Sequence, residues 1–241
     1  MVYYGHMIHA TPIGVSDFLP KDAKRLDEYT SKLQQFFAQA NYLPIKTPTI
    51  EFSESFEHAF GPGLKKQLIE FFDPSGKRLM LRPDHTTPIA RTVAARMQHE
   101  TLPLRLSYVD PVFRKSVESQ QTDTEIFQAG CECFGDSSHA SVFEIISLCI
   151  NALKAIGVDD IGIDIGHVDF TAGLAEDKKQ ALLSGDYLSF GCIPERGKQE
   201  CAESQSDINA IFQHCEQSDF ADSVWVNKGL VKGLYYYTGV I

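Results

Sequence analysis

The chain has 241 residues, 43% hydrophobic and 22% charged, enough to bury a large core as one domain or as one domain with an appended lobe. A formal charge of −10 disfavours nucleic acid as a partner, because gripping phosphates needs a basic stripe and none is evident. No apolar run approaches the ~20 residues that cross a bilayer, and no secretory signal opens the chain, so a cytoplasmic protein without membrane contact is expected.

In chain order, "MVYYGHMIHA" reads partly as an added leader and receives no structural weight. "KDAKRLDEYTSKLQQFFAQANY" places Leu26, Tyr29, Leu33, Phe36 and Phe37 at amphipathic-helix spacing. "PIKTPTIEF" reads as extended, and "LIEFFDPSGKRLMLRPD" as a hairpin turned by Asp73-Pro74-Ser75-Gly76. Thr86 and Thr87 before Pro88 predict the cap and first turn of a short helix.

Two strands follow, one ending at Arg114 and one running Glu125 to Phe134. "SSHASVFEIISLCINALKAIG" predicts a helix with Val142, Ile145, Ile146, Cys149, Ile150 and Leu153 on its buried face and Gly157 as its stop. "DIGIDIGHV" alternates like a strand. From Phe170 to Ser223 the texture turns helical and polar, predicting a small inserted lobe. "LVKGLYYYTGVI" reads as a final strand inside which the chain stops, as if truncated.

Hairpins with flanking helices and no regular βαβ alternation predict an α+β fold, an antiparallel sheet with helices packed on it. The expected organisation is a core over 11–169, an inserted helical lobe over 170–223 and a return strand over 224–241. The six cysteines lack a C-x-x-C pair and read as reduced, mostly buried thiols. "CEC" puts Cys131 and Cys133 on one strand face, a slight metal signal without a second pair.

The polar residues of the apolar strands are the candidates for chemistry. Arg82 and Asp84 end one strand with Thr86 just beyond, Arg114 ends another, Gln128 and Glu132 share a face four residues apart, and Tyr236 and Tyr237 lie on the last. Gly130 would leave open space between Gln128 and Glu132. A buried carboxylate needs a partner, and a small cationic or amphoteric ligand would supply one. The plainer alternative pairs Arg114 with Glu132 or Asp84 and leaves the tyrosines as core aromatics.

The segments "TPIGVSDFLP", "LMLRPDHTTPIAR", "SYVDPVFR", "EIFQAGCECFG" and "LVKGLYYYTG", in that order, resemble the catalytic core of histidyl-tRNA synthetase, a class II synthetase. The resemblance covers Thr11 to Gly173 and Leu230 to Ile241, and the family's third, glycine-arginine motif would lie beyond Ile241. It implies a class II aminoacyl-tRNA synthetase-like fold and a histidine pocket at Asp84 (glutamate in the family), Thr86, Arg114, Gln128, Glu132, Tyr236 and Tyr237.

The departures fall on the phosphate side. Ser116, Val117, Glu118 and Ser119 replace the family's Glu-Arg-Pro-Gln run, Thr122 and Thr124 replace its arginines, and Lys232 stands for the arginine that assists activation. Each lost charged donor forfeits roughly 1.5–3 kcal/mol, and Glu118 and Asp123 add repulsion. An amino-acid half retained beside a phosphate half dismantled is similar to the ATP phosphoribosyltransferase regulatory subunits.

That resemblance implies a non-catalytic subunit with no cofactor and no metal. Its expected partners are a short-form catalytic subunit, a second copy of itself and L-histidine as feedback effector. The alternatives are a truncated histidyl-tRNA synthetase core and a synthetase-like module binding another amino acid or tRNA.

Overall fold

The computed structural model describes residues 11–115, 123–198, 206–232 and 237–241. Its contacts gather into two compact units, residues 1–57 with 65–134, and residues 58–64 with 135–241. The passage at 134–135 lies upstream of the residue 170 boundary drawn from sequence texture.

In the first unit, α1 (Pro20–Gln39) starts with proline in its first turn and an acidic Asp22 that suits the helix dipole. Its predicted face is half-buried at Leu26, Leu33 and Phe36 and fully buried at Phe37, whereas Tyr29 stays exposed. Asn41, at φ 63°, turns the chain into β1 (Leu43–Pro44). β5 (Leu104–Phe113) and β6 (Glu125–Phe134) pair antiparallel along their whole length, from Leu104↔Phe134 to Phe113↔Glu125. β1 joins the other edge of β5 in parallel.

A second sheet runs β2 (Ile50–Phe52), β4 (Arg78–Leu81), β3 (Glu70–Phe72), all antiparallel. The β3–β4 turn forms as its sequence predicts. Asp73 Oδ1 accepts from the Ser75 and Lys77 amides at 2.8 and 2.9 Å, and Gly76 takes φ +81°. The short α2 (Pro62–Gln67) precedes this hairpin. α3 (Thr86–Arg96) lays Ile89, Val93 and Met97 against Leu104, Leu106 and Tyr108 of β5.

The second unit opens with α4 (His139–Ala155), capped by Ser138 Oγ accepting from the Ser141 amide. It ends in a Schellman turn, with the Gly157 and Val158 amides donating to Lys154 and Leu153 and Gly157 at φ +91°. α5 (Glu176–Ser184), α6 (Tyr187–Phe190) and α7 (Ser206–Glu216) give the helical texture read from the sequence. Its sheet is β7 (Ile163–Ile165), β9 (Val224–Asn227), β8 (Arg196–Gly197), over a core holding Ile150, Ile165, Ile208, Phe212 and Val226.

Several expectations are corrected. The described strands form three small sheets, and β1–β5 and β7–β9 are parallel. A parallel pair joins segments far apart in the chain, so no turn between them announces it. α4 turns Val142, Phe143, Ile146 and Ile150 to the core and leaves Cys149 and Leu153 exposed. With apolar residues around most of its circumference, periodicity alone does not choose the buried stripe. Of the described cysteines, all free, only Cys215 is fully buried, which pushes its thiol up to about 11, while Cys149 and Cys192 are exposed.

The final expected strand is described only in part. Within the return strand expected over 224–241, β9 at Val224–Asn227 is the segment that joins the sheet. Of "LVKGLYYYTGVI", residues 233–236 lie outside the described set, and Val240 makes an isolated antiparallel bridge to His167.

Candidate functional site

The candidate residues of the first unit collect where β4 runs into α3 beneath the β5–β6 hairpin. Arg82 is almost fully buried. Its Nε donates to the Pro111 carbonyl at 2.9 Å and its Nη1 to the Thr47 carbonyl at 2.8 Å. Burial pulls its pKa down, opposed by the carboxylates of Asp110 and Glu51. Arg82 is therefore a scaffold tie that fixes the start of the site.

Asp84 is buried two residues before α3, whose N-cap is His85 and not either threonine, and its carboxylate reaches into the first turn. Oδ2 accepts from Thr87 Oγ1 at 2.9 Å and Oδ1 from the Thr87 amide at 3.4 Å, while Thr86 and Thr87 are already helical. A carboxylate reaches the free amides of a first turn, and the dipole favours its charge there. Thr86 is thereby free to point at the sheet, where its Oγ1 donates to Glu132 Oε1 at 2.7 Å.

Gln128 and Glu132 share a face of β6 as predicted, opposite Asp110 and Leu106 of β5. The space between them is not open. Tyr108 stands opposite Gly130 and its ring lies over it, so a Cβ on Gly130 would collide with the phenol hydroxyl and sit 2.6 Å from Cζ. Tyr108 stacks in turn on His85, with ring centroids 4.3 Å apart, and His85 Nε2 donates to the Asp110 carbonyl at 2.9 Å. Desolvation lowers the His85 pKa, so this buried imidazole is held neutral near pH 7 with its proton on Nε2.

Arg114 Nε donates to the Pro83 carbonyl at 2.8 Å, tying the end of β5 to the approach to α3. Tyr237 belongs to the second unit and is 37% exposed; Tyr236 and the loop residues Ser116 to Thr122 lie outside the described residues. His85, Tyr108 and Asp110 are site residues that sequence reasoning missed. The one available signal was the glycine set across from a tyrosine in a regular hairpin. Among the described residues no cluster of His, Cys, Asp and Glu is suited to hold a metal ion.

Glu132 is under electrostatic tension. Burial first, and then the nearby Asp84 charge, raise its pKa, partly offset by the Thr86 hydrogen bond. A carboxyl raised in the folded state binds extra protons there, so stability falls as pH climbs from its unfolded pKa through its folded one. Glu132→Gln keeps the Thr86 contact and removes the charge. The variant is expected to melt a few degrees higher at pH 7, as about 1 kcal/mol gives in a domain of this size. That advantage should vanish below about pH 4, where both forms are neutral. Thermal melts across pH test this, and equal Tm at pH 7 refutes it.

The arrangement offers a buried carboxylate, a hydroxyl, an amide and an aromatic wall, suited to a small ligand bearing an amino group and a polar ring. A family model for histidyl-tRNA synthetase matches residues 14–185. An ATP phosphoribosyltransferase regulatory subunit of Symbiobacterium thermophilum is 33% identical across 95% of this chain and 68% of its own length. One from Halothermothrix orenii is 32% identical across 96% of this chain, which spans 65% of that relative. A crystal structure of an ATP phosphoribosyltransferase regulatory subunit/histidyl-tRNA synthetase from Bacillus halodurans superposes with a TM-score of 0.83 at 26% identity, over 97% of this chain and 71% of that one. Apo histidyl-tRNA synthetase of S. aureus, 19% identical with a TM-score of 0.68, shares the fold, which is the class II synthetase-like α+β arrangement.

Proposed function

This chain belongs to the histidyl-tRNA synthetase family, among its ATP phosphoribosyltransferase regulatory subunits, and on that footing we propose that it supports a partner's catalysis and performs none itself. The partner is a short-form catalytic subunit that joins ATP to phosphoribosyl pyrophosphate, opening histidine biosynthesis in the cytoplasm. L-Histidine, the end product, binds the first-unit site and inhibits the assembly. No described helix is long and apolar enough to cross a membrane.

The observation that carries the reading is the asymmetry of the site. On one side stands Glu132, hydrogen-bonded to Thr86 at 2.7 Å beside Gln128 and Tyr108. In the sequence, the stretch from Ser116 to Asp123 that corresponds to the family's phosphate-binding run contains no arginine or lysine. An α-ammonium at Glu132 would relieve the charge that burial penalises, and Gln128 is placed for the ligand's ring. Inhibition then requires histidine to favour the inactive assembly by its differential affinity.

Self-association has its own support. On the β2–β4–β3 sheet, Ile50, Phe52, Phe71, Leu79 and Leu81 share one face by register, and Ile50 and Phe52 are 49% and 48% exposed. Such a face fits an interface between two copies better than open solvent.

The test is phosphoribosyl transfer by the catalytic subunit with and without this chain, titrated with histidine. The chain should raise the activity and confer inhibition. Gln128→Ala and Glu132→Ala should each shift the inhibiting concentration by about tenfold or more, the size of a lost charge-assisted contact. Unchanged inhibition in both variants removes the pocket from the account. Histidine-dependent exchange of pyrophosphate into ATP by this chain would overturn the non-catalytic reading altogether.

A further inference from the structure

Gln128, Gly130 and Glu132 alternate along one face of β6, and Asp110 and Tyr108 stand directly across from Gln128 and Gly130 on the same face of β5. Gly130 lies about 7 Å of strand from each of the two polar residues. A ligand held by Glu132 and Gln128 together therefore rests above Gly130. What it rests on is the Tyr108 phenol, which crosses the strand there because residue 130 has no Cβ. Tyr108, Gln128 and Glu132 are each half-buried, so each keeps surface that a small molecule can reach.

The phenol is held in place by His85, whose ring stacks on it with centroids 4.3 Å apart and planes 30° from parallel. His85 is itself only 1% exposed, and its Nε2 donates to the Asp110 carbonyl at 2.9 Å, two residues along β5 from Tyr108. It also stands between Asp84 and Thr86, and Thr86 Oγ1 holds Glu132. The segment entering α3 thus sets the floor of the site through His85 and its carboxylate wall through Thr86. Buried that deeply, the imidazole cannot touch a ligand, so its effect on binding passes through Tyr108.

We propose that His85 is a positioning residue that sets the ring-size selectivity of this site: by stacking on Tyr108 it keeps the phenol over Gly130, so that only a small flat ring fits above it. The inference rests on the histidine site proposed above and adds to it the residue that excludes larger rings. Without the stack the phenol turns away from Gly130 and the floor drops, leaving room for an added methyl group. A well-packed site penalises one extra methyl by about tenfold or more, whereas a site that gives way does not. A histidine that merely filled the core would leave that discrimination unchanged, whatever it did to stability.

The experiment is calorimetry of the chain with L-histidine and with 2-methyl-L-histidine, which is one methyl larger and keeps both ring nitrogens. Intrinsic differences between the two ligands cancel when their affinity ratio is compared among variants. His85→Phe keeps a ring on Tyr108 and loses the bond to Asp110, while His85→Gln keeps a donor for the Asp110 carbonyl and loses the ring. Thermal melts confirm that each is folded. The unmodified chain should prefer histidine by about tenfold or more, His85→Phe should stay within about threefold of that preference, and His85→Gln should lose most of it. Tyr108→Leu, which removes the phenol itself, should lose it as well. Adding His85→Gln to Tyr108→Leu should then change the ratio by less than about twofold, since the two residues act as one unit. Should the larger phenylalanine unfold the chain, His85→Gln with and without Tyr108→Leu decides alone. Any other pattern between the two His85 variants, a preference that survives Tyr108→Leu, or equal affinity of the unmodified chain for both ligands overturns the positioning role and leaves the proposed function standing. No binding of histidine at all removes the pocket itself, and this inference with it.

Discussion

Gly130→Ala is expected to destabilise the protein by about 2 kcal/mol, and Gly130→Val by about 3 kcal/mol, through overpacking against Tyr108. An added Cβ needs the phenol to move, since Cζ would lie 2.6 Å away. A tyrosine tip can often swing aside at little cost. Here its ring stacks on His85 at 4.3 Å, and that imidazole is buried and anchored to the Asp110 carbonyl. The clash is therefore passed to groups with no room to yield. Urea unfolding of the single variants, and of Gly130→Ala combined with Tyr108→Leu, isolates the cause. The combined variant should recover most of the loss that Gly130→Ala adds to the unmodified chain, a coupling of more than about 1 kcal/mol. A single variant within about 0.5 kcal/mol of the parent refutes the claim.

Arg82→Met should cost as much as Gly130→Val and more than Gly130→Ala, at about 3 kcal/mol or a fall in Tm near 10 °C. Methionine fills similar volume but leaves the Thr47 and Pro111 carbonyls without the donors that now bind them at 2.8 and 2.9 Å. The Arg82 backbone adds bonds to Thr49 and Phe113, so its side chain and main chain together brace three segments around the site. Arg82→Lys should rescue little, because an ammonium cannot span two carbonyls held apart as a planar fork does. Differential scanning calorimetry decides it; a lysine variant melting with the parent shows that charge, and not fork geometry, is what matters.

Much of this was legible in the residues because the information is local. The amphipathic spacing of α1, the Asp73–Gly76 turn and the ten-residue alternation of β6 each depend on near neighbours. So does the shared face of Gln128 and Glu132, which follows from strand parity alone. The bonds from Thr87 to Asp84 were missed because the two threonines themselves read as the cap, whereas the helix begins at Thr86 with His85 before it. The Tyr108–His85 stack joins residues 23 positions apart, and the parallel partners of β5 and β7 lie farther still. Pattern within a window carries no trace of such pairings.

The parallel β7–β9 pair sets an order in time as well as in space. Ile163 must find Val224, so the second unit's sheet closes only after some sixty further residues have been made. Every strand pair of the first unit is complete by Phe134. During vectorial synthesis the half that carries the proposed effector pocket can fold while the second is still emerging from the ribosome. Long-range pairing also makes that second half the slower to mature. The second unit's sheet would therefore be complete last, after every strand pair of the first is in place.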